Sequence, residues 1–240
     1  NRGTVQRITK GEILQEPLLR VNVNFADERG LLGIAIATNE GEKNGTNTTL
    51  TPDPKITDSE CLPPTLPSST SSFFWFFQCL PPTLPSPPSV FLFFTEAVMA
   101  TDDTPVSNRV YKYELVKDND NTIKLVNPSL LLDLPVGPGA SHVGGMLDIG
   151  PDNNLYLVLG DLRLTQYNKM DSPDSQTQAQ NYINGKKPDG RAGILRITQD
   201  GGIVGGKGIL GNEHPLNKYY AYGIKNSFGF DFDPITGKLW

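Results

Sequence analysis

The sequence predicts an all-β fold, and three observations carry that expectation. Short apolar or alternating runs recur along the chain, turn residues punctuate them at close spacing, and helical patterning is weak throughout. Glycine (24) and proline (20) take up far more of the 240 residues than the roughly 12% of an average chain. Only 37% of residues are apolar, which suits many short elements and turns better than long helices. The length allows one sizeable domain.

The strands follow in order. Leu31–Ala37 (LLGIAIA), Val90–Thr95 (VFLFFT), Arg109–Val116 (RVYKYELV) and Leu130–Leu134 are the first four. Met146–Gly150, Leu155–Leu159, Gly193–Thr198 and Phe228–Phe232 continue the series. One unit repeats: Met146–Tyr156 reads strand, Pro-containing turn, strand, and Phe230–Trp240 reads the same way. Leu31–Ala37 with Val90–Thr95 makes a third copy if an insertion occupies its turn. Repeated hairpin units in a glycine-rich chain favour a propeller over a sandwich.

The insertion is a different kind of sequence. Ten of the twenty prolines fall between Pro52 and Pro88, and no charged residue occurs from Cys61 to Thr95. Proline at that density excludes both helix and interior strand. The stretch holds a duplication, CLPPTLPS at Cys61–Ser68 and again at Cys79–Ser86, around an aromatic run, Phe73–Phe77. An irregular loop leaving from a hairpin tip is one reading, and a partner-binding or membrane-touching loop is the other. The domain organisation expected is therefore 1–38 as the start of a propeller, 39–89 as the insertion, and 90–240 as further blades. Cys61 and Cys79 are either a disulfide in an oxidising compartment or two unpaired thiols, the second a by-product of copying.

Charge excludes several function classes. The net charge is −5, whereas duplex binding needs clustered Lys and Arg. No apolar run is long enough to span a bilayer as a helix. Asn44-Gly45-Thr46 and Asn47-Thr48-Thr49 have the form of glycosylation sequons. Gly201–Gly211 (GGIVGGKGILG) partly matches two nucleotide-binding patterns. However, Gly208 stands where a P-loop needs Ser or Thr, and Asn212-Glu213-His214-Pro215 stands where a phosphate-binding helix should begin. The stretch reads as a surface turn.

Only two histidines are present, His142 and His214. His214 precedes a proline in a polar loop and reads as structural. His142 sits among small residues, Gly137-Pro138-Gly139-Ala140-Ser141 before it and Val143-Gly144-Gly145 after, so a ligand can approach the backbone closely. It stands at the mouth of one strand, and the next strand ends in Gly160-Asp161. A carboxylate there would accept the imidazole N–H, fix the tautomer and raise basicity. The alternative is a solvent-facing loop histidine. No GxSxG elbow, catalytic cysteine context or EF-hand spacing occurs.

These motifs, in this order, resemble the glucose/sorbosone dehydrogenases. The residues that carry the resemblance are Glu28–Ala35 (ERGLLGIA), His142-x-Gly144-Gly145, and Gly150–Tyr156 with Gly160-Asp161. Gly193–Ile197, Tyr222–Phe230 (YGIKNSFGF) and Asp233-Pro234-x-Thr236-Gly237-Lys238-Leu239-Trp240 complete it. The resemblance implies a partial six-bladed β-propeller, with this chain a fragment of roughly half the blades, cut at both ends and inactive alone. It implies oxidation of an aldose C1 hydroxyl, with hydride transfer to pyrroloquinoline quinone in the presence of Ca²⁺, and an external electron acceptor.

Position by position, the resemblance implies His142 as general base and Asp161 as the carboxylate that orients it. Lys225 and Asn226 take the place of an Arg-Asn pair that holds the quinone, and Glu28 and Gln166 fall on substrate positions. Calcium ligands would lie beyond Trp240, and the compartment implied is secreted, periplasmic or cell-envelope. Three departures stand out: Lys225 lacks the planar fork of arginine, Val143 replaces a usual asparagine, and Ser141 replaces an occasional aspartate. They keep open a second class, a non-catalytic propeller that binds carbohydrate or protein. A hydrolase or lactonase on a similar propeller would need a carboxylate cluster for calcium at the axis, which these residues lack.

Overall fold

The computed structural model describes residues 3–37, 86–99, 104–120, 122–163 and 175–240. Residues 38–85, with Cys61, Cys79 and both sequons, lie outside the described residues, as does Gln166. The expectations that fall on them are not addressed by the fold.

Among the described residues the regular structure is all antiparallel β, with two 3-10 turns at Ala179–Asn181 and Leu216–Lys218. No helix among them is long and apolar enough to cross a membrane. Four strands of two residues open the chain: β1 (Thr4–Val5) pairs with β4 (Leu19–Arg20), and β2 (Ile8–Thr9) with β3 (Glu12–Ile13). Next come β5 (Leu31–Ala37), β6 (Ser89–Ala97), β7 (Pro105–Lys117) and β8 (Ile123–Leu134), joined in that order as one meander. A second meander follows, β9 (Gly144–Ile149), β10 (Leu155–Leu159), β11 (Gly193–Ile197) and β12 (Tyr219–Tyr222), again in chain order. The two are successive blades of a partial β-propeller, packed with β5, the first strand of one, against β9, the first strand of the other.

Alternation explains the packing. On β6, Phe91 and Phe93 face the second sheet while Val90, Leu92 and Phe94 face the opposite way, and all five are buried. Leu155, Leu157 and Leu159 of β10 meet Phe91 and Phe93 in the core between the sheets, and Tyr156 and Val158 point to the far side. A strand covered on both faces reads as a continuous apolar run, which is why VFLFF and LYLVL carry no polar alternation. The N-terminal segment closes the outer face of the first sheet through Val5 and Val23. Phe230, Phe232 and Leu239 cover the outer face of the second.

The two sheets approach so closely at their inner strands that side chains are excluded. A Cβ on Gly33 would stand 2.1 Å from the Gly145 carbonyl oxygen, and one on Gly145 would stand 2.6 Å from the Phe93 ring. Gly145 also has φ +94°, a region where a side chain is strained whatever the space.

Two sequence expectations are adjusted. Phe228–Phe232 is not a strand: its ladder is a single bridge, Phe232 to Leu239, closing the turn at Asp233–Gly237. Leu130–Leu134 is only the end of β8, which begins at Ile123 and passes through Pro128. The ladder skips there, Val126 pairing with Glu114 and Ser129 with Lys112, so Asn127 and Pro128 form a bulge on an outermost strand. Gly201–Gly211 runs as surface turns, as expected.

Candidate active site at the head of the second sheet

The β9–β10 hairpin explains why His142 and Asp161 meet. One precedes β9 and the other follows β10, so antiparallel pairing returns the chain to its starting point. The Gly160 N–H donates to the Val143 carbonyl (3.3 Å), and His142 Nδ1 lies 2.7 Å from Asp161 Oδ1. The Asp161 side chain is 3% exposed and the His142 ring 20%, so the carboxylate is sealed in while the ring reaches the surface.

A buried carboxylate needs donors on both oxygens. Asp161 Oδ2 accepts from Thr177 Oγ1 (3.2 Å) and lies 3.4 Å from Arg163 Nε. Oδ1 is left for the imidazole. A carboxylate at Nδ1 selects the tautomer with its proton there, so Nε2 keeps its lone pair for a substrate proton.

Main-chain bonds draw four segments to this point. The Asp161 N–H donates to the Lys225 carbonyl (3.0 Å), and Ala192 N–H donates to the Gly160 carbonyl (2.9 Å). The Ala192 carbonyl in turn accepts from Gly223 (2.9 Å) and Ile224 (3.0 Å). Gly160 is the pivot: a Cβ on it would lie 2.1 Å from the His142 carbonyl oxygen and 2.8 Å from that of Lys225. Three non-glycine residues here have left-handed backbones, His142 (φ 60°), Leu162 (φ 53°) and Ala192 (φ 57°). Each such residue costs about 1–2 kcal/mol, and strain of this kind concentrates at functional sites.

Of the residues singled out from sequence, His142, Asp161, Glu28 and the Lys225 backbone come together. Glu28 Oε2 accepts the His142 N–H at 2.6 Å. Lys225 is half-buried and Asn226 exposed. Val143 is fully buried in the core between the sheets, so it faces away from the site's surface. Among the described residues no three His, Cys, Asp or Glu side chains gather as a metal site. His214 is apart from this group, and burial together with the Lys218 ammonium pushes its pKa down.

Sequence reasoning missed four residues. Arg163 stands only two positions beyond Asp161, but the left-handed Leu162 between them (φ 53°) breaks the alternation that would have signalled a shared face. Thr177, Arg29 and Arg191 reach in across long chain separations that leave no pattern. Arg191, buried and ion-paired to Asp189, donates to the Gly137 carbonyl (2.8 Å) on the histidine loop.

Comparison with known proteins bears on the whole arrangement. The family model described as Glucose / Sorbosone dehydrogenase matches residues 79–240. An uncharacterized protein of Synechocystis sp. is 29% identical over 105 residues, 43% of this chain and 24% of that protein. A Thermus thermophilus structure described as a putative oxidoreductase (glucose dehydrogenase) covers 99% of this chain at 20% identity with a TM-score of 0.59. This chain spans only 51% of that structure, a likeness of fold alone. The PQQ-bound aldose sugar dehydrogenase of Streptomyces coelicolor aligns with 63% of this chain and 36% of its own, at 24% identity and a TM-score of 0.43.

Proposed function

This chain belongs to the glucose/sorbosone dehydrogenase family, and we propose that the full-length protein oxidises the C1 hydroxyl of an aldose with His142 as the base. The observation that carries the reading is the 2.7 Å contact between His142 Nδ1 and a buried Asp161 whose other oxygen is already satisfied. In that pair Nε2 takes the hydroxyl proton as C1 gives up its hydride, and the Asp161 carboxylate stabilises the imidazolium that forms. Pyrroloquinoline quinone, when bound, supplies the two-electron acceptor.

The residues present suit such a group on one side. Lys225 and Asn226 offer a cation and a neutral donor for carboxylate and quinone oxygens, and the Lys225 carbonyl is bonded to Asp161 N–H. Gln176, the chain neighbour of the Thr177 that bonds Asp161, is 1% exposed with neither amide atom bonded. Among the described residues no three His, Cys, Asp or Glu side chains gather to hold Ca²⁺, and no step is assigned to it.

Reconstituting the full-length protein with the quinone and Ca²⁺, then following dye reduction with a panel of aldoses, tests the proposal. Aldose-dependent reduction supports it. Carbohydrate binding without reduction would replace it with the binding-module reading, which Lys225 favours by lacking the bidentate fork of arginine.

The same reading takes residues 39–89 as an insertion at the tip of the β5–β6 hairpin. Ala37 pairs with Ser89, so the ends of that segment are already held together by the ladder. Deleting residues 40–86, which leaves Ser89 in its ladder, and joining the hairpin by a short turn leaves the melting temperature nearly unchanged, since loop closure varies only slowly with length. A large fall in melting temperature would mean that Phe73–Phe77 packs into the core.

A further inference from the structure

We infer that Glu28 is a positioning residue that holds His142 through its main chain; the inference rests on the reading of His142 as the base. His142 has φ 60°, and a residue with a side chain stays in that region only when its surroundings over-determine it. Glu28 does so. Its Oε2 accepts the N–H of His142 at 2.6 Å and lies 3.4 Å from the N–H of Val143. Consecutive amides beside a left-handed residue form a concave notch for an anion, and here a carboxylate of the same chain fills it.

The grip is reciprocal. The Glu28 N–H donates to the Ala140 carbonyl at 3.2 Å. Its neighbour Arg29 sends Nη2 to the carbonyls of Val136 (2.7 Å) and Gly139 (3.1 Å). The anion thus takes the loop's donors and the cation its acceptors, on adjacent residues just before β5. A left-handed φ also sets where the His142 side chain leaves the loop. Relaxing it to the extended region would swing the imidazole away from Asp161, 2.7 Å from Nδ1. One of the two carboxylate oxygens, Oε2, is committed to the protein's own backbone.

The test compares Glu28→Gln, which keeps a carbonyl oxygen of equal reach, with Glu28→Leu, which has none, in the full-length protein. Two readouts apply: steady-state kinetics of the reconstituted enzyme, and the Nδ1 proton of the His142 ring by NMR, assigned by its loss in His142→Ala. Glu28→Leu is expected to lower kcat by about 10²-fold with little change in KM, because a misplacement of about 1 Å has that effect. It also abolishes or broadens the ring proton, and Glu28→Gln restores both. A rise in KM with kcat and the ring signal unmoved would overturn the inference and make Glu28 a sugar contact. If Glu28→Leu does not fold, Glu28→Asp, charged but one methylene too short, carries the test. Loss of its ring signal supports the inference, and a wild-type signal overturns it. If the unaltered protein oxidises no aldose, the dehydrogenase reading fails on its own, and the ring proton still decides the role of Glu28.

Discussion

Replacing His142 with alanine in the full-length protein is expected to lower aldose turnover by about 10²-fold or more while quinone binding survives. In the proposed reaction the imidazole takes the proton, and the quinone contacts proposed for Lys225 and Asn226 stand on a different segment. Asp161→Asn should be comparably damaging, for a reason set by its neighbours. Thr177 Oγ1 and Arg163 Nε are donors that face Oδ2. An asparagine therefore turns its carbonyl to them and its NH₂ to His142 Nδ1. That ring nitrogen must then accept, which moves the imidazole proton to Nε2 and removes the base. Turnover and quinone affinity, measured separately, check both variants. Unchanged turnover in His142→Ala would withdraw the catalytic role and leave the binding module.

The second large effect lies in the core. Phe93→Ala is expected to cost about 3–5 kcal/mol of stability, a large share of the 5–15 kcal/mol typical of a domain. Phe93 is fully buried between the two sheets, over the position where Gly145 has no side chain. Its loss leaves a cavity that the rigid β5–β9 contact cannot close. Ile36→Ala on β5, where the side chain is 55% exposed, should stay within about 0.5 kcal/mol and serves as the control. Urea unfolding of the full-length variants measures the difference. A change below about 1 kcal/mol for Phe93 would mean that the sheets do not share a core.

What could be read in the sequence divides along physical lines. β5 and β10 were legible residue for residue, because local patterning and turn chemistry act together there, and β9 was read two residues late at its start and one late at its end. The strands β1 to β4 were not, since two paired residues leave no period to detect. The first half of β8 was hidden by Pro128, which reads as a breaker until a bulge on an outer strand accommodates it. β12 was missed because its pairing to β11 is set by tertiary context after a 3-10 turn. In the site, His142 and Asp161 were legible because one hairpin joins them. Arg29, Thr177 and Arg191 were not, because each arrives from a remote segment and touches main chain or a single carboxylate oxygen.

The alternating faces of β6 and β10 have a consequence for how the molecule comes apart. The N-terminal hairpin, the first sheet, the second sheet and the turn at Asp233–Gly237 form a stack with three separate apolar seams. Each layer is a neighbour only of the next, so its stability is close to a sum of nearest-neighbour terms, as in a one-dimensional chain of coupled units. Opening of either flanking layer is then a local event, separate from opening of the middle seam. His142 and Asp161 sit at the head of that middle seam. Their geometry outlasts the loosening of either flank, because one hairpin of the second sheet joins them.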